Sequence, residues 1–310
     1  MARGTRIVGW GSALPAKVLT NTDLEQTLDT SDEWIFERSG IRQRHIGDTT
    51  AGVAIDAGRA ALACSGRAAS DVDLLVLATT TPDQQLPATA PTVQHELGTR
   101  GGAFDVNAAC SGFVYGLVAA DAMVRVTNER ALLIGAETLS RMVDWEDRTT
   151  AVLFGDGAGA IVIEATDDGE SCVLGADLGS DGSLRSILDA DHGGYIRMQG
   201  KEVFRRAVRV MIDSATLAME RAGVTADDIA LVVPHQANIR IIESANAKLG
   251  FSTDRTALVL ERTGNTSAAS IPLALVDAVD KGRVRDGDLV LLVGFGAGMT
   301  WAAAVVRWGP

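Results

Sequence analysis

Three short strings hold the side chains best suited to chemistry: Asn107-Ala108-Ala109-Cys110-Ser111-Gly112, Pro234-His235-Gln236-Ala237-Asn238 and Gly264-Asn265-Thr266-Ser267-Ala268. A thiol, an imidazole and a carboxamide are the minimum set for forming an acyl thioester and stabilising an enolate on the carbon that attacks it. Each string is expected where an apolar strand gives way to small residues, the place where α/β sheets hold catalytic groups. Cys110 opens a helical pattern of Phe113, Leu117, Val118, Met123 and Val124, so its thiol should face unpaired N–H groups and the positive end of the helix dipole, which favour thiolate. Cys64-Ser65-Gly66 repeats the triplet at the far end of a helix, with Gly66 as its cap, where the dipole disfavours thiolate. Cys64 is therefore assigned to packing and Cys110 to chemistry. His235 follows Val232-Val233-Pro234, at the carboxyl end of a strand, and His45, His95 and His192 have no such setting. Taken singly, a core cysteine, a structural histidine and a capping asparagine are the plain alternatives. Their joint order, Cys, His, Asn, carries the chemical reading.

The elements that position these groups recur. Asp71 to Ala78 forms an apolar run followed by a helix ending at Gly98, and Asp227 to Val233 does the same before a helix ending at Gly250. Later, Ala131 to Gly135 is echoed by Leu289 to Gly294, and Gly155 to Ile163 by Gly296 to Val306. This order of strand, helix, strand, glycine turn and strand, repeated half a chain apart, predicts a duplicated α/β fold. The strand runs are short, β-branched and nearly unbroken, as central strands covered on both faces must be. No linker separates the halves, so one body made of two half-domains, 1–165 and 166–310, is expected. The glycines around Asp156 match neither a dinucleotide nor a Walker loop. The 310 residues carry a net charge of −12, which disfavours nucleic acid as a partner. The three cysteines lack disulfide or zinc spacing, no uninterrupted apolar stretch is long enough to span a membrane, and the N-terminal residues lack a signal-peptide core. A cytoplasmic protein is expected. Lys201, Arg205 and Arg209, with Arg206 beside them, fall on one helical face, and Arg240 and Lys248 follow the His235 string. On an acidic protein this is either a solvated basic face or a docking surface.

The strings Thr30-Ser31-Asp32-Glu33-Trp34-Ile35, Arg38-Ser39-Gly40-Ile41, Leu153-Phe154-Gly155-Asp156-Gly157-Ala158-Gly159 and Gly294-Phe295-Gly296-Ala297-Gly298, with the three chemical strings, make the chain resemble the ketoacyl-ACP synthase III family of the thiolase superfamily. The resemblance spans essentially the whole chain. It implies a five-layer α-β-α-β-α architecture, and decarboxylative condensation of an acyl-CoA primer with malonyl-ACP to start fatty-acid chains. It implies Cys110 as the acylated nucleophile, His235 and Asn265 as donors to the extender thioester, and the backbone N–H groups of Cys110 and Gly298 as an oxyanion hole. Thr30, Trp34, Arg38, Arg148 and Asn238 would contact CoA, and Arg205, Arg240 and Lys248 the acidic acyl carrier protein. Leu86 and Phe154 would line the acyl pocket, Leu86 by reaching across a homodimer. No metal or resident cofactor and no membrane are implied. A thiolase would carry a second cysteine in Gly296-Ala297-Gly298-Met299-Thr300, and an elongating synthase a histidine in place of Asn265. A secondary-metabolism condensing enzyme or acyltransferase with an unusual donor or acceptor is the rival within enzymes, and an inactive scaffold the rival outside them. The Ser183–Met198 segment looks shorter than in many relatives, so primer length stays open.

Overall fold

Aliphatic runs with alternating faces build two main sheets, beside two small two-stranded ones, in this computed structural model, which describes residues 3–309. The first half contains β1 (Gly4–Ala13), β2 (Lys17–Thr20), α1 (Asn21–Glu25), α2 (Asp32–Ser39), β3 (Gln43–Ile46), α3 (Thr50–Ser65), β4 (Leu74–Ala78) and α4 (Ala90–Leu97). It continues through β5 (Gly102–Val106), α5 (Gly112–Val126), β6 (Arg130–Thr138) and β7 (Asp156–Thr166). The second half contains β8 (Val173–Ser180), β9 (Leu188–Asp189), β10 (Arg197–Met198), α6 (Gly200–Ala222), β11 (Ile229–Pro234) and α7 (Ile239–Leu249). It closes with α8 (Leu260–Thr263), α9 (Ser270–Asp280), β12 (Leu289–Gly296) and β13 (Thr300–Arg307).

The sheet orders are β1-β7-β6-β4-β5 and β8-β13-β12-β11. In both, the first pairings are antiparallel and the later ones parallel. The counterpart of β5 survives only as a parallel bridge between Val232 and Thr256. The duplication read from the sequence is thus present in the topology, and the expected endings of α4 at Gly98 and α7 at Gly250 hold.

Period-2 alternation sorts each strand's side chains between layers. Leu75, Leu77, Leu132 and Ile134 pack against α3 and α4, while Leu74, Val76 and Leu133 face the opposite way, towards α5. Leu291, Val293, Ala303 and Val305 likewise meet α6 and α7, while Val290, Leu292, Ala302 and Ala304 join the inner core with α9. The result is the five-layer α-β-α-β-α stack, with α5 and α9 between the sheets. The segment Ala109–Val126 is apolar and long enough to cross a membrane by composition alone. Here that apolarity serves a middle layer, where Phe113, Val114, Leu117 and Val124 are fully buried.

Two expectations fail. The glycines from Gly155 to Gly159 do not form a turn; β7 begins at Asp156, whose buried carboxylate accepts from Ser140 and from the Gly47 N–H. The echo breaks because the second half joins its strands by a tight turn, whereas the first inserts the excursion 139–155 that carries Arg148 and Phe154. Cys64 does lie in the last turn of α3 before left-handed Gly66, but it is exposed. Packing therefore does not explain it.

Candidate active site

Cys110 sits in a strained turn between β5 and α5. Ala109 is held at φ 49°, a conformation that non-glycine residues adopt at a cost of about 1–3 kcal/mol, and a 3-10 turn over Ala109–Ser111 leads into the helix. Asn107 Oδ1 accepts the Ala109 N–H at 3.2 Å, and Thr300 Oγ1 donates to Ala108 O at 2.8 Å. Strand β12 passes so close that a Cβ on Gly296 would lie 2.5 Å from the Cys110 nitrogen. The second half repeats the turn: Ser267 has φ 47°, and the 3-10 turn Ser267–Ala269 leads into α9. Ala268 stands where the first half has Cys110, so only one half carries a nucleophile.

His235 follows β11, with its N–H on Val293 O at 2.8 Å. Its ring is 1% exposed, lies edge-on to Phe295 at 5.4 Å, and has Nδ1 2.6 Å from Ser270 Oγ. Burial pulls its pKa down to about 3, so the imidazole is neutral at physiological pH. Asn265 is not at a strand exit, contrary to expectation. It follows α8 through Gly264 at φ 65°, and exchanges backbone bonds with Leu153 O at 2.8 Å and the Gly155 N–H at 3.0 Å. Its Oδ1 accepts the Ser267 N–H at 2.9 Å, which leaves the NH2 group to serve a ligand.

The thiol is not the thiolate that the helix end suggested. Burial pushes Cys110 up to about 12; the Ser267 hydrogen bond opposes this and the Glu137 charge adds to it. Desolvating a thiolate outweighs a dipole worth about 0.3–1 kcal/mol at a typical exposed helix end. Glu137 was not singled out from the sequence. It is fully buried, its own pKa is raised by burial, and it accepts from Thr79, Thr80, Thr81 and the Ala268 N–H. It thereby ties β4, β6 and the turn before α9 together beneath the nucleophile. A glutamate inside an apolar strand was the signal available.

Two cavities meet at Cys110 and Phe154. The larger, about 770 Å³, is also lined by His235, Asn265, Trp34, Arg38, Arg148 and Asn238. The second, about 510 Å³, has apolar walls from Leu139, Met142, Leu188 and Ile196, and its lining includes both Cys110 and Gly298. The Ser183–Met198 segment supplies part of these walls through Leu188, Ile196 and Met198.

At the mouth of the larger cavity, the Arg38 and Arg148 guanidiniums stand 4.4 and 5.0 Å from the Trp34 ring, a stack that suits a planar base and phosphates. Asn238 is there too, but its side chain is committed: Nδ2 donates to Arg38 O at 2.7 Å and Oδ1 caps α7 through the Arg240 N–H at 2.9 Å. Thr30 lies outside the cavity lining, its Oγ1 buried without a partner. Arg240, Lys201 and Phe204 line the mouth. Arg205 and Arg206 share Glu202 at 2.8 and 2.7 Å, because the glutamate falls one helical turn before both. Lys248 is exposed in the last turn of α7. Leu86 is 85% exposed and lines neither cavity of its own chain.

A buried cysteine where two cavities meet, with a buried histidine and asparagine lining the larger of them, on a duplicated five-layer stack, defines a condensing enzyme of the thiolase fold. Two descriptions of one family match the chain: "3-Oxoacyl-[acyl-carrier-protein (ACP)] synthase III" over residues 104–182, and its C-terminal part over 219–308. A beta-ketoacyl-[acyl-carrier-protein] synthase III of Rhodospirillum centenum is 53% identical over 318 residues, 97% of this chain and 98% of that protein. One of Roseiflexus castenholzii is 49% identical over 331 residues, covering 99% of each. The crystal structure of 3-oxoacyl-[acyl-carrier-protein] synthase III from Aquifex aeolicus superposes with a TM-score of 0.95 at 46% identity, over 98% of this chain and all of that one. The chain belongs to the 3-oxoacyl-ACP synthase III family: it is an acyltransferase that performs the condensation initiating fatty-acid synthesis, with acyl carrier protein as substrate partner.

Proposed function

We propose that Cys110, His235 and Asn265 carry the reaction in two half-reactions. Cys110 loses its proton to solvent, the thiolate attacks the carbonyl of an acyl-CoA, the bond to the CoA sulfur breaks, and the departing CoA sulfur takes up a proton from solvent. The N–H groups of Cys110 and Gly298 hold the tetrahedral oxyanion. Malonyl-ACP then loses CO2, and the electron pair of the broken C–C bond becomes an enolate whose oxygen takes hydrogen bonds from His235 and the Asn265 NH2. The enolate carbon attacks the acyl-cysteine, releasing 3-oxoacyl-ACP and returning the Cys110 sulfur. Decarboxylation supplies the carbanion, so this scheme requires neither a metal nor a resident cofactor.

The observation that carries this reading is the place of Cys110 between the two cavities: the wider holds the pantetheine arm, and the apolar one takes a short aliphatic primer. Trp34, Arg38 and Arg148 receive the CoA nucleotide. Arg240 and Lys248, with Lys201, meet the acidic carrier protein. The halves 1–165 and 166–310 supply the nucleophile and the enolate donors respectively. The protein works as a cytoplasmic homodimer: β5 is an edge strand, and exposed Leu86, on the loop that β5 holds through the Thr89 N–H on Asp105, is suited to close the partner's acyl pocket.

One experiment tests the acyl-enzyme and the pocket together. The protein and its Leu86→Ala variant are incubated with acyl-CoAs of rising length and mapped by peptide mass spectrometry. The added acyl mass should sit on Cys110, and the variant should shift towards longer primers. Equal labelling of Cys64, or a length profile indifferent to Leu86, contradicts the reading.

A further inference from the structure

Ser270 has no task in its own helix. It is the first residue of α9, yet no side chain caps that helix, and the equivalent first residue of α5 is Gly112. The fold therefore does not call for a hydroxyl there. Ser270 is fully buried; its Oγ accepts the Gln236 N–H at 3.3 Å and lies 2.6 Å from His235 Nδ1. Among the described residues, Nδ1 is the only acceptor within hydrogen-bond reach of that hydroxyl. A buried O–H without an acceptor is strongly disfavoured. The hydroxyl proton therefore points at Nδ1, which must be the unprotonated nitrogen.

We infer that Ser270 is a positioning residue that fixes the His235 proton on Nε2, so that the ring offers an N–H rather than a lone pair to the oxygen of the bound thioester. The ring is neutral at physiological pH, so it has one proton to place, and the two placements are chemically opposite. With Nε2 protonated, His235 stabilises an enolate and cannot take the Cys110 proton at that nitrogen. With Nδ1 protonated, it would be a base for the thiol and a poor partner for an oxyanion. The hydroxyl selects the first. This inference rests on the role of His235 in the second half-reaction proposed above.

The test is a long-range proton–nitrogen correlation spectrum of the full-length protein labelled with 15N-histidine, with single-turnover kinetics on the same preparations. The unsubstituted protein should show His235 as the Nε2–H tautomer. Ser270→Ala should give a mixture, and Ser270→Thr, which keeps the hydroxyl, should restore the Nε2–H form. CO2 release from malonyl-ACP should fall about tenfold or more in Ser270→Ala, with KM within about twofold and Cys110 acylation undiminished. An Nδ1–H tautomer in the unsubstituted protein overturns the inference without kinetics. A parallel fall in acylation and CO2 release overturns it as well. The spectrum needs no substrate, so an Nε2–H signal in a protein that releases no CO2 leaves the tautomer standing and rejects the functional reading instead.

Discussion

Cys110 illustrates a competition that magnitude decides. A helix N-terminus stabilises a thiolate modestly, whereas burying a thiol raises its pKa by far more, and here burial brings Cys110 to about 12. The resting nucleophile is the protonated thiol. The rate of Cys110 acylation should therefore climb about tenfold per unit from about pH 6 to about pH 9, because only the thiolate attacks. His235, with a pKa of about 3, gains no proton in that range and adds no inflection. Single-turnover acylation followed across that range checks this; a flat profile would show that the thiolate is already formed. The type and order of Cys110, His235 and Asn265 were legible because reactive side chains among small residues are rare in apolar sequence. The protonation state was not, because it depends on a closed pocket and on Glu137, brought to the thiol from a distant strand. Ser270 was invisible for the same reason: its significance lies in a 2.6 Å contact across 35 residues.

At the scale of elements, β-branched runs announced the strands and left-handed glycines announced helix ends. The exits of β5 and β11 were thus readable, and with them the sites of Cys110 and His235. Asn265 was misplaced because its support is not a regular strand but a bridge to Phe154, which leaves no periodic signature. The ion pair of Arg205 with Glu202 was not read from the basic stripe, because spacing alone displayed only the cations. What the elements do for the nucleophile is tested at Gly296. A Cβ there would meet the Cys110 nitrogen at 2.5 Å and the Ala109 Cβ at 2.8 Å, forcing β12 and the nucleophile turn apart. Gly296→Ala should fold with a lowered melting temperature and lose acylation on the order of 10²-fold, the scale of a displacement of about 1 Å at a reacting centre. Unchanged acylation would show that the close approach of β12 does not position the thiol.

The duplicated halves share a turn and differ in what it carries: the first has a thiol where its twin has Ala268, Asn107 and Asn265 brace the two turns alike, and Ser270 stands where the first half has Gly112. Charge follows a similar economy, with a net −12 overall and Lys201 and Arg240 at the cavity mouth. Arg240→Glu should raise KM for malonyl-ACP several-fold and weaken its salt dependence, while Arg205→Glu, at a residue already paired, should do less. Steady-state kinetics at two ionic strengths checks this, and equal effects of the two would contradict the placement of the docking surface. The division between halves is tested most directly by measuring Cys110 acylation and CO2 release separately in Asn265→Ala. Losing one oxyanion donor costs about 10²–10³ in rate; that loss should fall on CO2 release and leave acylation nearly intact. If both steps decline together, Asn265 does not belong to the enolate half-reaction, and the assignment of the enolate donors to the second half of the molecule is wrong.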